Sequence, residues 1–147
     1  MEFLHLERDN CVRCSGGGMT EYIEKSFTYS MTVLEPFVVR NAKLWRCNAC
    51  GRICLSKSET RKWEKDKALE ISISSGCLSG TEAKFLRQAL NISPLELAIR
   101  MGVTEIAVKT WETCVVPAGL SQILKMLVIQ ELGGEVILNY CLIFLSA

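Results

Sequence analysis

Four cysteines stand in two pairs of the same form, Cys11-Val12-Arg13-Cys14 and Cys47-Asn48-Ala49-Cys50. The C-x2-C spacing lets two thiolates leave one tight turn and meet a single tetrahedral ion. Two such turns supply four sulfurs and close the coordination sphere. That is the donor set of a structural zinc, and it leaves no position for a catalytic water. Glycines follow each pair, Gly16-Gly17-Gly18 after the first and Gly51 after the second. A metal knuckle curls backbone N–H groups toward sulfur and often needs a residue at positive φ. One zinc per chain is expected on Cys11, Cys14, Cys47 and Cys50. A four-thiolate iron site of the rubredoxin kind uses the same ligands and is the alternative. The gap of 32 residues between Cys14 and Cys47 requires a sizeable hairpin between the knuckles.

The remaining chemistry is sparse. Cys54, Cys77, Cys114 and Cys141 occur singly and read as buried thiols of a core, Cys54 included although it lies near the second pair. His5 is the one histidine, so no cysteine has an imidazole base in prospect, and no paired acidic motif is present. Gly16-Gly17-Gly18 has no following lysine and no strand–loop–helix frame, which excludes a phosphate loop. The chain is expected not to be an enzyme. Trp45, Trp63 and Trp111 read as packing residues.

The elements that must position the cysteines follow from the pattern around them. The chain has 147 residues, 49% apolar and 22% charged, with net charge +1. That composition is globular, and it suits one domain or two small ones. The first ten residues carry Glu2, Glu7, Arg8 and Asp9 and no signal-peptide core, and the paired cysteines argue against a disulfide framework. A reducing cytoplasm is the expected compartment. No apolar run reaches the length of a membrane helix. The longest, residues 136–146, reads as a buried terminal element, a dimer contact or a segment foreign to the fold.

Three parts are expected: a metal domain over 1–55, a connecting helix and linker over 56–75, and a helical domain with an apolar tail over 76–147. In the first, Glu21–Thr28, Met31–Leu34 and Phe37–Val39 read as strands, with Pro36 at a bend and Asn41-Ala42 as a turn before Lys43–Arg46. So small a sheet needs its metal for stability. The stretch Ser56–Glu70 reads as a charged, solvated helix, and Ile71–Gly76 as a linker. Beyond it, Ser79 with Glu82 and Ser93 with Glu96 form capping boxes, with Pro94 at a first helical position. Helices are expected over Glu82–Leu90, Pro94–Met101 and Glu105–Thr113, and another opens at Pro117 with Leu120, Ile123, Leu124, Leu127 and Val128 as its apolar repeat. Two short helices joined at Gly102-Val103, with the small Ala98 in the first and Val108 in the second, make a helix-turn-helix.

A four-cysteine zinc ribbon joined to a helix-turn-helix of the phage-repressor (Xre/Cro) kind resembles the MqsA-type, or YgiT-like, zinc-finger antitoxins over about residues 11–131. The fold class expected is α+β: a small N-terminal zinc ribbon built on a β-hairpin sheet, followed by the all-α Xre/Cro-type domain. The resemblance implies that Cys11, Cys14, Cys47 and Cys50 hold zinc. It implies that the N-terminal domain neutralises a ribonuclease toxin, and that the helical domain is a homodimer which binds operator DNA and represses its own operon. The base-reading positions map onto Thr104, Glu105, Ile106, Lys109 and Thr110. No Arg, Asn or Gln stands among them to make a bidentate base contact. From Gly76 onward there are five basic and six acidic residues, a poor match to phosphate. Two other readings follow from these departures: a transcription regulator with no toxin partner, and a docking or dimerisation module that has lost DNA reading.

Overall fold

Aromatic and β-branched residues between the cysteine pairs favour extended backbone, and here they make two long strands. The computed structural model describes residues 4–6, 11, 14 and 17–133. Strand β1 is Leu4–Leu6, β2 is Met19–Tyr29, β3 is Phe37–Cys47 and β4 is Ile53–Ser56. They form one sheet in the order β1-β4-β3-β2, antiparallel except for β1, which runs parallel to β4. The sheet is thus larger than a hairpin.

Two sequence expectations fail inside this hairpin. Met31–Leu34 is not a strand but lies in the loop between β2 and β3, with Pro36 at its end. Asn41-Ala42 is not a turn but lies within β3. Asn41 adopts φ 52°, a left-handed conformation that asparagine tolerates better than most residues. Its effect is to shift the alternation. Phe37 and Val39 face the core on one side of it, Ala42 and Leu44 on the other. On β2 the core positions shift likewise, from Tyr22 to Phe27 and Tyr29, so that Tyr22 still meets Leu44 and Phe27 still meets Val39.

Helix α1, Lys57–Ile73, is not the solvated rod its charge suggests. Thr60, Trp63, Ala68, Ile71 and Ser72 are all buried. Trp63 joins Phe27, Tyr29, Ala42, Leu44 and Leu55 in one core cluster. The Tyr29 ring meets Trp63 edge-on at 5.5 Å between centroids, and the Tyr29 hydroxyl donates to Glu64 Oε1 at 2.7 Å. Burial, and then that hydrogen bond, hold the phenol far above its ordinary ionisation range. Residues 71–73 belong to the helix, which leaves a shorter link than the one expected.

The chain divides into two units, Met1–Glu64 and Lys65–Ala147, so the division falls within α1. The second unit contains α2 (Gly80–Ala89), α3 (Pro94–Met101), α4 (Glu105–Trp111) and α5 (Ala118–Leu132). Both capping boxes form: Ser79 with Glu82 opens α2, and Ser93 with Glu96 opens α3. Leu97, Ala98 and Val108 are each 1% exposed, and Gly102 ends α3 in the left-handed region at φ 67°. In α5 the inward set is Ser121, Leu124, Lys125 and Val128, whereas Ile123 faces solvent. Polar groups turn inward because backbone awaits them. Ser121 Oγ accepts from Leu78 N, and Lys125 Nζ donates to the carbonyls of Ser74 and Gly76 at 2.8 and 2.7 Å. Among the described residues, no helix is long and apolar enough to cross a membrane. The apolar run 136–146 and Cys141 lie outside the described residues.

Candidate metal centre

Strand β3 delivers Cys47 at its last residue, and a tight turn brings Cys50 back beneath it. Gly51 N donates to Cys47 O at 2.9 Å, and Cys47 N donates to Arg52 O at 2.9 Å. Gly51 takes φ 70°, a conformation a side chain would strain. The first pair approaches from the segment before β2. Asn48 N donates to Gly18 O at 3.0 Å, and Thr20 Oγ1 donates to Asn48 Oδ1 at 2.7 Å, tying the two turns together. A Cβ on Gly17 would stand 2.8 Å from Ala49 Cβ and 3.1 Å from Cys47 Sγ, so only glycine lets the turns come this close.

The result is that Cys11, Cys14, Cys47 and Cys50 converge, with all four sulfurs within 4.8 Å of one another. Cys11 and Cys50 sulfurs are 3.8 Å apart, and Cys14 and Cys47 sulfurs 3.4 Å. A tetrahedral ion with metal–sulfur bonds of about 2.3 Å sets its sulfurs about 3.8 Å apart. None of the four is in a disulfide. Cys11 and Cys47 are buried, while Cys14 and Cys50 reach the surface.

The electrostatics of the cluster fit a cation. The backbone N–H of Cys50, and then that of Ala49, point at the Cys47 sulfur and lower its pKa against the opposing effect of burial. The Cys50 thiol is pushed up to about 12, first by its hydrogen bond with Cys47, then by burial and by Cys11 and Cys14. Sulfurs this close cannot all carry negative charge unless a positive ion compensates them. The four cysteines are therefore positioned to bind a metal ion.

The other cysteines divide. Cys54 is buried, as expected, but Cys77 and Cys114 are exposed rather than core thiols. Trp63 packs in the core as expected.

The residues mapped as base readers sit at α4. Thr104, Ile106, Lys109 and Thr110 are exposed and Glu105 is half-buried. Their polar groups are largely used within the helix. Thr104 Oγ1 caps α4 by accepting from Ala107 N at 3.1 Å, and Thr110 Oγ1 donates to Ile106 O at 2.8 Å. Lys109 pairs with Glu105 at 2.7 Å. Ile106, 77% exposed, is the side chain that projects. The sequence pattern located this surface but carried no sign that its polar groups would be engaged locally.

Comparison with family models, with curated proteins and with solved structures returns no match.

Proposed function

We propose that the protein is a zinc-binding, DNA-binding autorepressor of the antitoxin type. In this reading the first unit is a zinc ribbon, and α3 and α4 are a helix-turn-helix. The observation that carries it is the convergence of four cysteine sulfurs in a unit followed by a short-helix pair with a left-handed Gly102 between its members. Zinc is favoured over iron because a closed four-thiolate set in two C-x2-C turns is the usual structural zinc site. The zinc unit would hold its fold through the metal and present a surface to a ribonuclease toxin. The helical unit would dimerise and set the N-terminal end of α4 in the major groove. Gel shift of the purified protein on DNA from upstream of its own coding region tests this. A specific band that weakens as salt rises is the expected result, and its absence at low salt defeats the reading.

A second reading has its own support. Ile106 is exposed, and Thr104, Glu105, Lys109 and Thr110 are engaged within α4. The second half of the chain is also slightly acidic. These features suit a protein-docking or dimerisation module better than base reading. Co-purification with a ribonuclease encoded beside it, together with no affinity for upstream DNA, would favour this reading.

A further inference from the structure

We propose that the four-cysteine centre is also a redox switch: a peroxide oxidises it to two disulfides that cross between the turns, Cys14 to Cys47 and Cys11 to Cys50, and the oxidised unit gives up its metal without coming apart. The inference rests on reading the four cysteines as a zinc site. Distances carry it. Cys14 Sγ is 3.4 Å from Cys47 Sγ, and Cys11 Sγ is 3.8 Å from Cys50 Sγ. Each pair joins a surface sulfur to a buried one, Cys14 to Cys47 and Cys50 to Cys11. A redox-sensing cysteine is a thiolate that an oxidant can reach, with a second sulfur beside it to resolve the product. The centre meets both requirements twice.

The contacts that hold these pairs together do not pass through the metal. Met19 lies opposite Cys47 in the β2–β3 register, Asn48 N donates to Gly18 O at 3.0 Å, and Thr20 Oγ1 donates to Asn48 Oδ1 at 2.7 Å. They keep the first turn against the second while sulfur–metal bonds are lost. Peroxide transfers one oxygen to the exposed Cys14 thiolate, giving a sulfenic acid and hydroxide. The Cys47 thiolate attacks that sulfur, the S–S bond forms and a second hydroxide leaves. Each disulfide thus removes two electrons from two thiolates and reduces one peroxide to two hydroxides. Cys50 and Cys11 react in the same way, and the four sulfurs, bonded in pairs, no longer hold the ion. The Cys14–Cys47 bond closes a loop of 32 intervening residues. A cross-link over so long a loop restricts the unfolded chain and takes over the metal's part in holding the hairpin closed.

The test treats the zinc-loaded full chain with hydrogen peroxide and follows zinc release with pyridylazoresorcinol. Trypsin cuts after Arg13, Arg46 and Arg52, so Cys11 and Cys14 fall on different peptides while Cys47 and Cys50 share one. The expected result is release of one zinc per chain, with both first-turn peptides disulfide-bonded to the Cys47–Cys50 peptide and fragmentation assigning Cys14 to Cys47 and Cys11 to Cys50. Trp63 should stay buried in fluorescence after oxidation, and dithiothreitol with added zinc should restore the metal. Cys77→Ser and Cys114→Ser remove the exposed thiols outside the centre and should change none of this. Any other pairing, sulfinic or sulfonic acids in place of disulfides, zinc retained after oxidation, or exposure of Trp63 would overturn the proposal. A wild type that purifies without metal overturns the zinc reading and this inference together, whereas a zinc-loaded wild type giving any of those products overturns this inference alone.

Discussion

Gly80 opens α2 against the end of α4, and its hydrogen atom is what the site has room for. A Cβ there would lie 2.5 Å from the Trp111 carbonyl oxygen and 2.8 Å from both the carbon and the oxygen of the Glu112 carbonyl. These are backbone atoms and cannot swing aside. Gly80→Ala should therefore destabilise the helical unit by about 1–3 kcal/mol, as overpacked sites do; urea unfolding followed by ellipticity checks it. Glu96 gives a second prediction at this scale. Its carboxylate accepts from Ser93 N at 2.7 Å, and that bond, with Ser93's hydroxyl and Arg100, lowers its pKa below the ordinary carboxylate value. A lowered folded-state pKa means that the contribution is fully present above the ordinary value and is lost as pH falls through the folded one. The stability difference between wild type and Glu96→Gln should accordingly shrink on acidification, and a gap that is unchanged down to the pH of carboxylate protonation would contradict the capping role. At Cys47, replacement by serine should abolish stoichiometric metal, read by elemental analysis after dialysis.

At the scale of elements, the hairpin and α1 share a core through aromatic rings. Tyr29 is the centre of it, edge-on to Trp63 and to Phe37, with its hydroxyl spent on Glu64. Because the raised phenol pKa favours the neutral form, its contribution is present below the ordinary tyrosine value and vanishes only as pH climbs through the folded one. Alkaline absorbance titration should show one of the three tyrosines ionising only when the protein unfolds, and Tyr29→Phe should remove that late step. In the helical unit the tie between elements is ionic. Arg87 on α2 forks onto Glu112 at the end of α4 through Nε and Nη2, and its Nη1 donates to Ile92 O at 3.0 Å. Both side chains are 11% exposed, too little for water to replace a lost partner. Glu112→Gln should cost about 1.5–3 kcal/mol, the range for hydrogen bonds to charged groups, and the loss should resist added salt because the pair is poorly screened.

For the whole molecule, the two units rest on different physics. The first, 1–64, has a four-stranded sheet, a core cluster of described residues around Tyr29 and Trp63, and a cysteine set at the sheet's end. Under the zinc reading proposed above, the metal would supply about 10–16 kcal/mol of apparent binding energy, which in so small a unit would be folding energy. The second, 65–147, contains helices with formed caps and its own buried apolar residues. Chelation by a strong zinc ligand should hence melt the sheet unit, with loss of Trp63 burial in fluorescence, while most helical ellipticity persists. Loss of both signals in one step would show that the helical unit also depends on the metal.

What was legible in the sequence was whatever is governed by short spacing. The C-x2-C pairs picked out the four cysteines that converge, because two residues of one turn can reach one point whatever surrounds them. The Ser79–Glu82 and Ser93–Glu96 boxes and the Gly102 stop were legible for the same reason: each closes within four residues. Composition misled where burial depended on distant partners. The charge of Ser56–Glu70 concealed the buried face of α1, since Trp63 is sheltered by β2 and β3 residues far away in sequence. Strand β4, Asn41's left-handed kink and the inward Lys125 had no local signal, because a strand edge or a buried ammonium is settled by what lies across from it. Local chemistry thus determined which cysteines could share an ion and which residues cap; only the tertiary fold decided which side chains are covered, because burial and hydrogen-bond partners come from chain segments that sequence spacing cannot bring together.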